Sequence, residues 1–370
     1  MRNLLLTLLG SLLLTLPAAA QSRITGVVQD SVTHEALPFA SVFLANTTLG
    51  ATTDDEGKFT FERVPKGAYD IVASYVGYRL SKQNITVGTA PQTVTLRPAS
   101  SGPQLAEVTV KANPHQADDY RKFVGLFLGQ TAFSKKTRIT NPGEVDVFYN
   151  DSTKQLTASA DDFVQVENEA LGYRIKYFGM RFRYDEDDES ENFSGQPVFE
   201  EMTPRDAQQQ QQWDANRAAA YHGSLTHFLK SVYDNQVEQE GFLAQQVRIR
   251  NNPQAVPPVQ ARLYPAPLRT DSLRRVSADK SQVFLRFRHE LQVAYFGETP
   301  DPNYDQPMAE LGPAKKPWPT KREVSRLHLL VPEVEIQPNG TLTNPLQVLT
   351  GEYWGFEKIG ELLPLDYVPK

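Results

Sequence analysis

Six histidines are the first places to look for chemistry: His34, His115, His222, His227, His289 and His328. None stands in an H-E-x-x-H, and none is followed three positions later by Glu, so the local ligand spacings of zinc hydrolases are missing. His115 with Asp118 comes nearest, in what reads as an interdomain joint. His222 and His227 share a helical segment with Ser224 and Ser231, a pairing that suggests acyl transfer. That segment carries no G-x-S-x-G elbow, however, and no acid spaced to orient an imidazole. The expectation is that His227 lies on a solvated face opposite the apolar stripe Leu225, Phe228, Leu229 and Val232. His289 alternates with Leu285, Phe287, Leu291, Val293 and Tyr295 along a strand from Val283 to Tyr295, and is expected to be a hydrogen-bonded core histidine. The acid run Asp185, Glu186, Asp187, Asp188, Glu189 and Glu191 fails as a calcium loop. Ser190 stands where the tight-turn Gly belongs and Gln196 where the closing Glu belongs, so the run reads as a solvated hairpin tip. Trp318, within Lys315-Lys316-Pro317-Trp318-Pro319, is either a contact surface or the pin of its own loop. No catalytic residue, metal ligand or cofactor site emerges. His222, His227 and Trp318 remain as candidates for binding.

The composition narrows the classes further. The chain has 370 residues, 38 Lys plus Arg against 44 Asp plus Glu, a net charge of -6 and 22% charged residues. It lacks the basic stripe that neutralises phosphates, so nucleic acid is not an expected partner. With no cysteine, disulfides, thiolate metal sites, a Cys nucleophile and a lipid-bearing Cys are excluded. Walker and dinucleotide-binding glycine motifs are absent.

The elements that must position any site begin after a leader. Arg2, the apolar stretch Leu4 to Leu16, then Pro17 and Ala18-Ala19-Ala20 have the order of a secretory signal, with cleavage expected between Ala20 and Gln21. The apolar run is shorter than the roughly 20 residues that span a bilayer. No later stretch is apolar enough to form a transmembrane helix. The expectation is export to the periplasm or outer-membrane vicinity, or secretion.

From residue 22 to 112, short apolar runs alternate with turn residues at the spacing of an all-β sandwich. Strands are expected at Ile24 to Gln29, Ala40 to Leu44, Lys58 to Glu62, Tyr69 to Tyr75, Asn84 to Val87, Thr93 to Arg97 and Ala106 to Lys111. In Lys58-Phe59-Thr60-Phe61-Glu62 the period of two puts both Phe rings on one face. Five ordered blocks carry a resemblance: Gly26-Val27-Val28-Gln29-Asp30, Leu37-Pro38-Phe39-Ala40-Ser41-Val42, Gly50 through Phe59, Val64-Pro65-Lys66-Gly67-Ala68-Tyr69, and Val76-Gly77-Tyr78. Together they resemble the carboxypeptidase regulatory-like domain. The resemblance implies a transthyretin-like Greek-key sandwich and a non-catalytic accessory module; no peptidase activity follows. Such modules open secreted and outer-membrane proteins of Gram-negative envelopes, TonB-dependent receptors among them. Leu105 to Val110 is similar to the segment that follows the module in those receptors, but it also reads as a last strand. The residues after 112 are too few for a plug and a barrel.

Residues 113 to 370 read as an α+β domain of antiparallel strands and a helical segment, so the whole is mainly β with α+β character. Tyr120, Phe123, Val124, Phe127 and Leu128 form one face of a helix. Val145 to Tyr149, Gln155 to Ala160, Phe163 to Glu167 and Tyr173 to Tyr184 read as a meander with a turn at Asn150-Asp151-Ser152. Thr203 is the expected N-cap of the main helical segment, with Pro204 at its first position and Gly223 breaking it in two. Pro253 to Pro267 and Pro300 to Pro319 read as long connections. The apolar end from Gly351 to Pro369 is expected to dock on the core. This region resembles unassigned companions of the regulatory-like domain. The functional expectation is a non-catalytic exported module that binds or docks a protein, peptide or glycan of the envelope, without cofactors. The alternative is a hydrolase whose site assembles from distant residues around His222 and His227.

Overall fold

The computed structural model describes residues 22–101, 116–251, 259–304 and 322–369. The expected signal with its Ala20–Gln21 junction, the strand Ala106 to Lys111, His115, most of Pro300 to Pro319 and Trp318 lie outside those residues.

The first unit is a sandwich of β1 (Ser22–Val28), β2 (Ser41–Leu44), β3 (Gly50–Thr52), β4 (Lys58–Val64), β5 (Gly67–Ser74), β6 (Ser81–Val87) and β7 (Gln92–Leu96). One sheet has the order β4-β1-β7 and the other β3-β2-β5-β6. Strand alternation builds the core: Ile24, Val28, Phe59, Phe61, Tyr69, Ile71, Val94 and Leu96 are buried between the sheets. Phe59 and Phe61 share a face as their spacing requires, with ring centroids 5.7 Å apart. Sequence reading missed β3, because Gly50-Ala51-Thr52 has no apolar alternation; its pairing with β2 is imposed by the hairpin.

The second unit starts with α1 (Gln116–Leu128) and continues as β8 (Thr137–Ile139), β9 (Val145–Asn150), β10 (Gln155–Ala160), β11 (Phe163–Asn168), β12 (Tyr173–Asp185) and β13 (Ser190–Glu201). The meander expected from the sequence is present, with its first two legs each divided in two, as β8 and β9 and as β10 and β11. Thus β10 and β11 pair with successive halves of β12, and β9 and β8 continue outward from them. At the break β12 has an irregularity between Phe178 and Arg181, and Gly179 takes φ 59°, a conformation a Cβ would strain. The bulge changes the phase of alternation. Tyr173, Ile175, Tyr177, Met180 and Phe182 all face the inner core, while Phe178 turns outward to stack on Phe43 of the sandwich at 4.9 Å. On the inner face, α1 inserts Phe123 and Phe127 among Tyr177, Phe182 and Phe193. Burying each such ring contributes about 1.5–3 kcal/mol.

The third unit holds α2 (Ala207–Tyr221), α3 (Leu225–Tyr233), β14 (Phe242–Asn251), β15 (Val259–Pro267), α4 (Thr270–Leu273), β16 (Arg274–Val276), β17 (Val283–Leu285), β18 (Glu290–Tyr295), β19 (Glu323–Leu329), β20 (Val334–Ile336), β21 (Val348–Glu352) and α5 (Tyr353–Phe356). A five-stranded sheet, β15-β14-β18-β19-β21, and a three-stranded one, β16-β17-β20, share a core with Phe228, Leu229 and Val232 of α3. Within the described residues, the end of the Pro-rich stretch, Val259–Pro267, is the edge strand β15, where a missing N–H is tolerated. The Gln245 side chain bonds back to Pro265 O at 2.9 Å.

Two local expectations are corrected. The helix α2 is capped by Asp206, whose carboxylate accepts from Gln209 N at 2.8 Å, not by Thr203. The run Val283 to Tyr295 is two strands in two sheets, separated by a turn at Arg286 to His289, with His289 at φ 63°. His289 is therefore exposed and not a core residue. The alternation survives the break because both sheets face one core.

The sandwich is held against the other units through its β2–β3 hairpin. Asn46 N donates to Pro197 O at 2.6 Å, Phe199 N to Thr47 O at 2.9 Å, and Leu365 N to Asn46 O at 2.7 Å. Asp366 accepts from Thr48 N and Oγ1 at 3.0 and 2.5 Å. The apolar C-terminal segment thus docks, as expected, but partly onto the first unit.

Candidate functional site

The helical segment divides where it meets the sandwich. Gly223 takes φ +81°, which ends α2 and lets Ser224 cap α3 by accepting from His227 N at 3.2 Å. The break brings Tyr221, His222 and His227 together around one corner, with His227 5.0 Å from Tyr221 and 5.3 Å from His222 by ring centroids.

His227 is 4% exposed, which corrects the solvated-face expectation. The side of α3 away from its apolar stripe is covered by Phe242 and Tyr295, whose rings lie 4.9 and 5.7 Å from the imidazole. Its Nδ1 accepts from Gly223 N at 3.2 Å, and its Nε2 lies 3.2 Å from Glu240 Oε2. A backbone N–H on Nδ1 assigns the proton to Nε2, which donates to the carboxylate. Burial holds the imidazole below its ordinary pKa, so it is neutral, with both nitrogens committed. No lone pair remains to abstract a proton. Ser224 Oγ donates to Tyr221 O at 2.7 Å and Ser231 Oγ to Phe228 O at 2.7 Å; both hydroxyls serve the helix backbone. The Ser/His association in the sequence is therefore not a nucleophile–base pair in the structure.

Beside this corner lies a cleft of about 380 Å³ between the third unit, the sandwich and the C-terminal segment. Tyr221, His222 and Tyr367 supply its rings, Lys230, Asp234 and Asp366 its charges, and Pro65 with Tyr69 the sandwich wall. The Tyr221 and Tyr367 rings are 6.0 Å apart and tilted by 57°. Lys230 pairs with Asp234. Asn339 also lines the cleft, and its buried Nδ2 has no hydrogen-bond partner. Burial raises the Tyr221 hydroxyl to about 12 and the Tyr69 hydroxyl to about 12, so both remain neutral donors. On the far side of the C-terminal segment is a second hollow, of about 610 Å³, lined by Arg217, Glu201 and Asp214. Arg217 sits 4.0 Å over the Tyr173 ring and spends its donors on Leu171 O, Gly172 O and Glu201. It clamps α2 to the β11–β12 turn.

Of the residues singled out in the sequence, His222 and His227 meet at this site, while His34, His289 and His328 are exposed elsewhere. The acid hairpin is solvent-facing from Asp187 to Glu189, but Glu186 is tied to Lys122 and accepts from Tyr149 at 2.6 Å, and Glu191, contrary to the solvated-tip expectation, is mostly buried and paired with Lys358 at 3.0 Å. Among the described residues, no group of three or more His, Cys, Asp or Glu is arranged to hold a metal. No described helix is long and apolar enough to cross a membrane. Sequence reasoning missed Tyr221, Asn339, Asp366 and Tyr367. The available signals were the position of Tyr221 next to His222 and the apolar character of the end of the chain.

Residues 24–110 match the family described as the CarboxypepD_reg-like domain, which confirms the resemblance carried by the five blocks. No curated protein matches the chain. Among solved structures, the chain is similar to the pilus 2b backbone protein of group B streptococcus, at 19% identity over 22% of this chain and 41% of that one, TM-score 0.20. It is also similar to the shaft pilin SpaA of Lactobacillus rhamnosus GG, at 17% identity over 22% and 47%, TM-score 0.19. A third is a cohesin–X-dockerin complex of Acetivibrio cellulolyticus, at 16% identity over 30% and 76%, TM-score 0.20. The chain thus spans less than half the length of these two pilus proteins.

Proposed function

We propose that the protein is an exported, non-catalytic binding module of the cell envelope, and that its cleft takes a glycan. The observation that supports this most directly is the lining. Two tilted tyrosine faces and His222 offer stacking surfaces for sugar rings, and Asn339 Nδ2 is a buried donor awaiting an acceptor. Asp234, Asp366 and Lys230 provide the polar groups that fix hydroxyls. The commitment of both His227 nitrogens favours binding over hydrolysis. The test is titration of the mature chain with a panel of soluble oligosaccharides, followed by NMR or calorimetry. Tyr221→Ala and Tyr367→Ala should each weaken binding by about 3- to 10-fold, the worth of one aromatic contact, with the fold retained by circular dichroism. Binding that ignores both substitutions, or a cleft that responds only to peptides, overturns the glycan reading. Hydrolysis of any of the sugars overturns the non-catalytic one. Export is checked by intact mass: the protein recovered from cells should begin at Gln21.

A further inference from the structure

Gly223, the residue that creates the corner, is held from three sides. Its N–H binds His227 Nδ1 at 3.2 Å, and its C=O accepts from Trp354 Nε1 at 2.8 Å. The third side is a carboxyl group. Glu323, the first residue of β19, is 5% exposed, and a Cβ placed on Gly223 would stand 2.1 Å from its Oε2. That oxygen has no hydrogen-bond partner. The carboxyl also receives the Tyr353 hydroxyl, which in turn accepts from Asp301 N at 3.0 Å.

The groups facing Glu323 are mostly acids. Glu298 follows β18, Glu357 follows α5, Glu361 lies in the 3-10 turn Ile359–Glu361, and Tyr295 is its cross-strand neighbour on β18. Beyond Gly223 stand His227 and, bonded to it, Glu240. Lys358, on the same stretch as Glu357, pairs with Glu191, and Arg322, the preceding residue on the chain, is buried with a partner. A charged carboxylate with one bare oxygen in such a place is costly, whereas the protonated acid is accommodated.

We propose that Glu323 is a proton-operated prop beneath the cleft: protonated, it fits against Gly223 and keeps the helix break, His227 and Trp354 in register, and ionised, it withdraws and loosens them. Burial, then Glu298, pushes the Glu323 carboxyl up to about 8. Burial pushes Glu298 and Glu361 each to about 7. A folded-state pKa above the unfolded one means that the folded state binds the proton more tightly. The support is therefore whole below the ordinary glutamate range and is lost as pH rises through about 8. His227, with a lowered pKa, acts in the opposite sense and resists protonation as pH falls. The consequence for ligand affinity rests on the binding reading above, whereas the prop itself does not.

The experiment follows the indole N–H resonances of the full mature chain from pH 5 to 9. Trp354 reports on Gly223, and Trp213, bonded to Glu169 O at 2.9 Å, serves as a remote reference. The Trp354 signal should move with a midpoint near 8 while Trp213 stays still, and Glu323→Gln should abolish the movement. Glu298→Gln keeps the prop but removes a repelling neighbour, so it should shift the midpoint downward; it also provides the test if Glu323→Gln fails to fold. A Trp354 signal that does not titrate, or that titrates unchanged in both variants, overturns the prop. If Trp354 titrates as expected while no oligosaccharide binds at any pH, the prop stands and the binding reading falls.

Discussion

The sandwich and the rest of the chain treat buried polar groups differently. In the sandwich, each buried polar side chain is satisfied close to home. Ser22 Oγ donates to Ala90 O, Asp30 accepts from Val32 N and Thr33 N, and Thr53 Oγ1 both donates to Leu37 O and accepts from Ala40 N. Outside it, Gln196, Gln292, Glu323 and Asn339 each carry a buried side-chain atom with no hydrogen-bond partner, and Glu298, Glu323, Glu357 and Glu361 are all pushed upward. Unpartnered polar groups weaken a fold, and proteins retain them where another task requires it. The sandwich thus has the build of a finished scaffold, while Asn339 and Glu323 place the unfinished chemistry beside the cleft and beneath it.

The hardest way to break this contrast is to remove a ring from the meander core. Phe127 is fully buried against Tyr177, Phe182 and Phe193, and Phe127→Ala should cost about 3–5 kcal/mol. The sandwich core draws on none of these residues, so its strands should keep their hydrogen-exchange protection while β9 to β12 lose theirs. Equal loss in both would show that the sandwich depends on its neighbour for stability.

A milder perturbation separates docking from folding. Deleting Leu365 to Lys370 removes the Leu365–Asn46 bond, both Thr48–Asp366 bonds and the Tyr367–Tyr221 contact. At roughly 0.5–1.5 kcal/mol per hydrogen bond, the loss should be a few kcal/mol. It should appear as faster amide exchange at Thr48, whose N–H loses its Asp366 acceptor, with Asn46, still bonded to Pro197 O, and Ile71 and Val72 of β5 unchanged. Unchanged exchange at Thr48 would mean that the C-terminal segment is a passenger on the sandwich.

The same contrast governs what the sequence could reveal. The sandwich strands and the meander lie where two-residue alternation puts them, because each is one face against one core. The Gly179 bulge in β12 left the inner pattern readable by skipping from Tyr177 to Met180. Alternation misled at Val283 to Tyr295, where it runs on across the break between two sheets that share a core and only the backbone of His289 marks the change. It failed for His227 as well. A helical stripe locates the first buried face, but the second is buried by Phe242 and Tyr295, whose approach depends on how β14 and β18 pack. His222 and His227 were legible as a pair. Asn339, Asp366 and Tyr367 were not, since they come to Tyr221 from more than a hundred residues away, and nothing local records that meeting.

The smallest expected effect tests the helix that carries Tyr221 to the cleft. Asp206 takes an extended conformation at φ -158° and accepts from Gln209 N at 2.8 Å, while Arg205 N is bonded to Gln209 Oε1 at 2.9 Å. This is a reciprocal cap closing the first turn of α2. Asp206→Ala should therefore cost about 0.5–2 kcal/mol, and Asp206→Asn, which keeps an acceptor oxygen, should cost less. Thr203→Ala should have almost no effect, since Thr203 stands before the turn that Asp206 starts. Because α2 is also clamped by Trp213, Asn216 and Arg217 to the β11–β12 turn, the loss should be confined to the N-terminal turn and leave the ring contact between Tyr221 and His227 intact. Chemical denaturation of the three variants measures the ranking. A Thr203→Ala cost equal to that of Asp206→Ala would move the start of the helix back to where the sequence pattern alone had placed it.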